Sequence, residues 1–449
     1  MKNHLKSTVS ILVIIAGLTW SCQDINESVP VVLEEDLVTH FTQTIPNQYI
    51  VMLKPNETNF RKSGDYISNQ AAMRKYSGAL LASHRIAATQ IGMTYSAAID
   101  GFSVHLSEEQ VKSLRTDSRI LTIEEDEWIT LDGAGAKGGK GGSTTKGPKS
   151  SQPAPTEPEP TEPAPSEPEP SPSPEPEPSP SIIYSPETSD PNQEVPWGIQ
   201  RVGGFSTYKG SNVAFVIDSG IDLDHPDLNV LASLGFKAVP DDISTTLDDE
   251  NSHGTHVAGT IAAINNKFGV VGVAAGAPVV PIKVLGPTGS GQKSWVIAGI
   301  DYVAGVGKPG DVANLSLGGS PSSIQDQAVI NAAAKGIFMV IAAMNNADLA
   351  SNYSPARVNG TNIFTISSMD SNGALSSFSN YGNPPIDFAA PGRSVRSTMP
   401  GEGYGSKSGT SMATPHVAGM LLLNGVRING YITGDKDGDP DPIAYRADR

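Results

Sequence analysis

The chain has 449 residues, a formal net charge of −16, one cysteine, 46 Gly and 35 Pro. Such acidity repels phosphate backbones and argues against a nucleic-acid partner. A single thiol excludes an intrachain disulfide and a Cys-rich zinc site, and so much proline points to a low-complexity segment beside folded domains.

Residues 1–21 have the build of a secretory signal: Lys2 and Lys6, then an apolar run over 9–18, then Ser21 before Cys22. The Ser21-Cys22 step resembles a bacterial lipoprotein processing site, where the thiol is lipidated and becomes the new N-terminus. Gln23-Asp24 and Glu27 resemble the acidic signals that send such proteins to the surface. The expectation is an exported precursor, anchored through Cys22 in the bacterial envelope or at the cell surface.

Residues 48–131 are mixed and ordinary in composition, with strands over 49–53, 101–106 and 120–125. A helix starts at Ser107 with an acidic first turn. Residues 132–193 are low in complexity, Gly/Lys-rich and then Pro/Glu-rich; they bury no core and favour extended polyproline II, the character of a spacer. Over 194–449, apolar strands at 212–217, 279–284 and 336–343 alternate with helical spacing at 253–264, 295–303, 324–335 and 410–423. This alternation predicts an α/β domain with a mostly parallel, doubly wound sheet, whose active site lies at the carboxyl ends of its strands.

Three motifs fall at such ends. Asp218-Ser219-Gly220 follows a strand, His253-Gly254-Thr255-His256 opens a helix, and Gly409–Ser411 opens another, with Pro415 placed for a first helical turn. A zinc reading of the two histidines lacks the Glu of His-Glu-x-x-His and has the wrong spacing. Asp, then His, then Ser is one of the chain orders of a hydrolytic triad. A hydroxyl needs an imidazole to take its proton and a carboxylate to hold the tautomer.

The three motifs, extended through His253–Gly259 and Gly409–Gly419, resemble the signatures of subtilisin-like serine proteases. Gly289-Ser290-Gly291-Gln292 and Ser379-Asn380-Tyr381-Gly382 bring the match closest to the proteinase K-like branch. The resemblance implies a serine endopeptidase that needs no cofactor for catalysis. Ser411 would be the nucleophile, His253 the base, Asp218 the orienting carboxylate and Asn345 the side-chain donor of the oxyanion hole. Ser290-Gly291 and Ser316-Leu317-Gly318 would sandwich an extended protein or peptide substrate. Met344 stands where the family has Gly, in the wall of the primary specificity pocket: it narrows the pocket, blocks it or points away. Residues 48–131 resemble the family's inhibitory propeptide, which implies a small α+β domain that occupies the cleft with its tail. Asp387 matches a structural calcium ligand. The run from Asp435 to Asp439 has calcium-like spacing, but Pro440 sits where an EF-hand loop needs Gly, and it is read as a solvated acidic loop. The alternative to an active protease is a catalytically silent or highly restricted relative, a surface lipoprotein that grips peptides. The anchor's position ahead of the propeptide also suggests release of the catalytic domain after processing.

Overall fold

A computed structural model describes residues 40–58, 65–131 and 187–447; Cys22 lies outside the described residues. The first domain runs β1 (His40–Leu53), α1 (Tyr66–Ser83), β2 (Ile91–Tyr95), β3 (Gly101–His105), α2 (Glu108–Leu114) and β4 (Ile120–Leu131). Its antiparallel strands lie in the order β4-β1-β3-β2. Val51, Leu53, Met73, Leu80, Phe102, Val104 and Leu114 form its core. The helix expected at Ser107 is closed by a capping box: Gln110 N–H donates to Ser107 Oγ (3.3 Å), and Ser107 N–H to Gln110 Oε1 (2.9 Å). Helix α1 was not foreseen; Asp65 caps it.

The second domain contributes α3 (Trp197–Arg201), β5 (Ser206–Thr207), β6 (Ala214–Asp218), β7 (Phe236–Lys237), α4 (His253–Ala262), β8 (Ala274–Ala275), β9 (Val279–Lys283), β10 (Ser290–Gln292), α5 (Lys293–Val306), β11 (Val312–Leu315), α6 (Ser323–Ala333), β12 (Phe338–Ala342), β13 (Ile363–Met369), β14 (Ile386–Pro391), β15 (Val395–Met399), β16 (Gly403–Lys407), α7 (Thr410–Leu423), β17 (Val426–Tyr431) and β18 (Pro442–Arg446). Nine strands form one sheet, β17-β18-β14-β13-β12-β11-β6-β9-β7. All neighbours are parallel except β17 and β18. Strands β6, β9 and β11 are buried along their whole length. Strands covered on both faces need continuous apolar runs, which is how β6 and β9 read in the sequence; β11, interrupted by Asn314, was not foreseen.

From β6 the chain steps to β9 through α4, then back across β6 to β11 through α5 and on to β12 through α6. Right-handed crossovers put α4 on the face opposite α5 and α6, so the sheet is doubly wound. The connections leaving β6 and β11 diverge there, which opens a crevice at the strands' carboxyl ends.

The sheet of the first domain continues into the second. Strand β10 pairs antiparallel with β4, Ile129 opposite Gly291 and Trp128 opposite Gln292. Leu131 N–H donates to Gly289 O (2.9 Å).

Candidate active site

Asp218 ends β6 and His253 begins α4. His253 Nδ1 lies 2.8 Å from Asp218 Oδ1 and 2.9 Å from Oδ2, with both side chains buried. Asp249 places the histidine. Its Oδ1 accepts from Asn251 and Ser252 N–H, and its Oδ2 from Thr255 N–H (2.8 Å) and hydroxyl (2.7 Å), so it caps the free donors of α4. Gly254 is required by contact: a Cβ there would lie 2.0 Å from Gly220 O. Sequence reading missed Asp249, because its role depends on a loop that folds back onto α4.

Ser411 lies in the first turn of α7. Its Oγ donates to Ser316 O at 3.0 Å, and His253 Nε2 is buried with no hydrogen-bond partner among the described residues. The structure therefore brings Asp218 and His253 into contact and leaves Ser411 bonded to Ser316. Pro415 corrects an expectation. It sits well inside α7, which begins at Thr410, where its ring removes the hydrogen bond that Ser411 O would otherwise accept. Ser316 Oγ takes that place and donates to Ser411 O at 2.8 Å; Asn314 Nδ2 in turn donates to Ser316 Oγ (2.9 Å).

Asn345 follows β12. Its Oδ1 accepts from Thr410 N–H (2.8 Å) and hydroxyl (2.9 Å), which fixes the amide against the start of α7. Met344, beside it, holds φ at +81°, in the left-handed region that costs a bulky side chain about 1–3 kcal/mol. Asn380 supports this strained segment: its N–H donates to Met344 O (2.9 Å), and its Oδ1 accepts from Asn346 and Asp348 N–H. The Met344 side chain is buried and does not turn outward. A Cβ on Gly318 would lie 2.8 Å from its sulfur. Gly318 belongs with Ser316 and Leu317 to the segment after β11, which is in no strand among the described residues. Ser290 and Gly291 form β10, already occupied by β4. A cavity of about 500 Å³, lined in part by Asp222, Asp224, Asp248, Asp249, Glu250 and Glu402, lies at the loop that leads into α4.

His256 and His416 are structural neighbours. His256 Nε2 donates to Val395 O (2.8 Å) and His416 Nδ1 to Met412 O (2.9 Å). Burial lowers them to about 3 and about 4, so both are neutral.

Acidic side chains dominate the contact between the domains. Buried Asp301 of α5 accepts from the N–H groups of Ser96 (3.0 Å), Ala97 (2.8 Å) and Ala98 (2.7 Å). Asp126 of β4 accepts from Ser294 N–H (3.0 Å) at the start of α5, and Glu124 from Ile324 N–H (3.2 Å) at the start of α6. Glu127 pairs with Lys293 (2.9 Å).

For a metal, Asp387 offers little: its Oδ2 accepts from Thr365 N–H (2.8 Å), and burial raises its carboxyl to about 6. Among the described residues no three His, Cys, Asp or Glu side chains converge on a metal position. An oxygen-rich ring lies elsewhere. Gln193 Nε2 sits 2.7 Å from Ile264 O, 3.0 Å from Phe268 O and Val270 O, and 3.1 Å from Asn266 Oδ1. An amide nitrogen has two protons and cannot serve four acceptors. Gln193 Oε1 accepts from Asn266 N–H (3.1 Å), so four oxygens gather at the amide nitrogen, a donor set of the kind calcium takes.

Residues 209–427 match the model of the subtilase family, and residues 48–132 match that of the peptidase inhibitor I9 family. The chain is 46% identical over 237 residues to subtilisin Savinase of Lederbergia lenta, covering 51% of this chain and 84% of that protein. It is equally identical to the M-protease of Shouchella clausii (strain KSM-K16), covering 51% of this chain and 60% of that relative's length. A crystal structure of a cold adapted subtilisin-like serine proteinase aligns with a TM-score of 0.47 at 32% identity, over 56% of this chain and 98% of the other.

Proposed function

The chain belongs to the subtilase family, and from that premise we propose that it is a serine endopeptidase made as a self-processing precursor, with residues 48–131 as its inhibitory propeptide. The observation that carries the reading is the buried Asp218–His253 pair, whose outer nitrogen Nε2 has no partner among the described residues, on a helix that packs against α7 with Ser411 in its first turn. Catalysis requires Ser411 Oγ to leave Ser316 O and turn toward that nitrogen.

The hydroxyl then attacks the scissile carbonyl carbon as its proton passes to Nε2, while Asp218 holds the Nδ1 proton and stabilises the imidazolium. The tetrahedral oxyanion takes hydrogen bonds from Asn345 Nδ2 and Ser411 N–H. Collapse breaks the C–N bond, Nε2 protonates the departing amine, and water repeats the sequence on the acyl-enzyme. Extended substrate adds to β10, along the edge that β4 covers in the precursor, with Ser316–Gly318 on its other side. With Met344 packed against Gly318, the primary pocket is shallow and selects small side chains. This same feature favours the alternative of a highly restricted, peptide-gripping relative.

Calcium is a structural partner in this reading, held by Asn266 and the three carbonyls around Gln193; Asp387 is a second, less equipped position. Export and lipidation at Cys22, with release of the catalytic domain into the medium on processing, complete the proposal. They rest on residues 1–27 of the sequence, and the proteinase K-like branch rests on Gly289–Gln292 and Ser379–Gly382.

Full-length protein and its Ser411→Ala variant, treated with a fluorophosphonate and assayed on casein and small peptides, provide the test. Labelling and cleavage are expected in the parent alone. A parent that neither labels nor cleaves any peptide would leave the binding-protein reading in its place.

A further inference from the structure

The connection between β17 and β18 carries Asp435, Asp437, Asp439 and Asp441 at alternate positions. Among the described residues none of these carboxylates forms an ion pair. The cation within the loop, Lys436, lies 5.2 Å from the Tyr381 ring centroid and donates to Ser377 O (3.4 Å).

Asp441 is fully buried. Ser367 Oγ donates to its Oδ2, while its Oδ1 is buried with no hydrogen-bond partner among the described residues. Asn383, ahead of β14, is stitched to the same loop: its N–H donates to Asp437 Oδ2 (3.2 Å) and its Nδ2 to Asp439 O (2.9 Å). Its Oδ1 is also buried without a partner. Asp441 N–H donates to Asp435 Oδ2 (3.2 Å), which closes the loop. Both oxygens carry the desolvation cost of an unmade hydrogen bond, which a cation bound between them would relieve.

We propose that this loop is a calcium site, with Asp441 Oδ1 and Asn383 Oδ1 as its buried ligands and Asp435 and Asp437 as the carboxylates that close over the ion. The donors are all oxygen and one is a neutral amide. The outer carboxylate, Asp437, is exposed and held only by backbone N–H groups of Asn383 and Asp439, in a flexible all-oxygen set that suits calcium better than the rigid octahedron of magnesium. Because no three acidic side chains already converge among the described residues, the ion itself draws Asp437 inward. Pro440 is no obstacle here. Gly438, at φ +85°, makes the turn, and a ligand comes from another segment, Asn383, instead of from a continuous EF-hand loop. The bound ion ties the C-terminal hairpin to β13 through Ser367 and to β14 through Asn383.

Calorimetric titration of chelator-stripped, full-length Ser411→Ala protein with calcium chloride tests this without reference to catalysis. Adding Asp437→Asn is expected to remove one calcium equivalent, or to weaken it at least tenfold, and to reduce the rise in Tm at millimolar calcium. The ring around Gln193 is untouched by that change. Identical stoichiometry and affinity in the two proteins, or no calcium binding by the parent, overturns the proposal. Asp441→Asn is expected to abolish the same equivalent; should that buried change prevent folding, Asp437→Asn alone decides.

Discussion

At the scale of single residues, the site is arranged by what α7 lacks. Pro415 frees Ser411 O, Ser316 Oγ occupies it, and Ser316 O in return holds the Ser411 hydroxyl. Ser411, the proposed nucleophile, is thus held at both its carbonyl and its hydroxyl by one residue of the proposed substrate-binding segment. Met344 is the other decisive residue. It accepts an unfavourable φ, and its buried sulfur closes on Gly318. Met344→Gly is expected to open the pocket and raise kcat/KM for peptides with a large aromatic side chain at the cleaved bond. The gain relative to alanine-bearing peptides is expected to be at least tenfold, about 1.4 kcal/mol. An unchanged cleavage profile would place Met344 outside the pocket wall.

At the scale of elements, the edge strand β10 is completed by β4, and the starts of α5 and α6 receive Asp126 and Glu124. An unpaired strand edge and free helix N-terminal donors are the features another segment can satisfy. Asp301 reverses the roles: the second domain supplies the carboxylate and the loop after β2 supplies the N–H groups. Asp301→Ala leaves those donors unpaired. In the Ser411→Ala background, the amides of Ala97 and Ala98 are expected to exchange with solvent at least tenfold faster. Equal protection in both proteins would mean that the contact carries no energy.

At the scale of the whole molecule, buried ionisable groups set the response to acid. An unfolded imidazole titrates near 6.5, whereas His256 and His416 are held at about 3 and about 4. Below 6.5 the unfolded chain binds protons that these folded histidines refuse, so their effect is a loss of stability as pH falls through that window. Asp227 and Asp387, raised by burial to about 6, oppose this. Between 3.8 and about 6 they take up protons in the folded state first, and so favour the fold on the acid side. A difference measurement separates the two effects. The drop in Tm of Ser411→Ala protein between about pH 7 and pH 4.5 is expected to shrink when His416→Gln is added. Parallel pH profiles would show that His416 takes no part.

Strands β6, β9 and β12 and helices α4 to α7 were legible in the chain because each rests on local pattern; Asp218, His253 and Ser411 were read from motifs and Asn345 from the family resemblance. Apolar runs mark strands buried on both faces, helical spacing marks their covers, and short motifs sit at the junctions. Helix α1, the capping role of Asp249, the place of Pro415 within α7, the ring around Gln193 and the orphaned oxygens of Asp441 and Asn383 were not. Each depends on atoms tens to hundreds of residues apart along the chain, and only packing decides which of them meet. A side chain's type can be read from sequence; whether its last hydrogen bond is filled is settled by its neighbours in space.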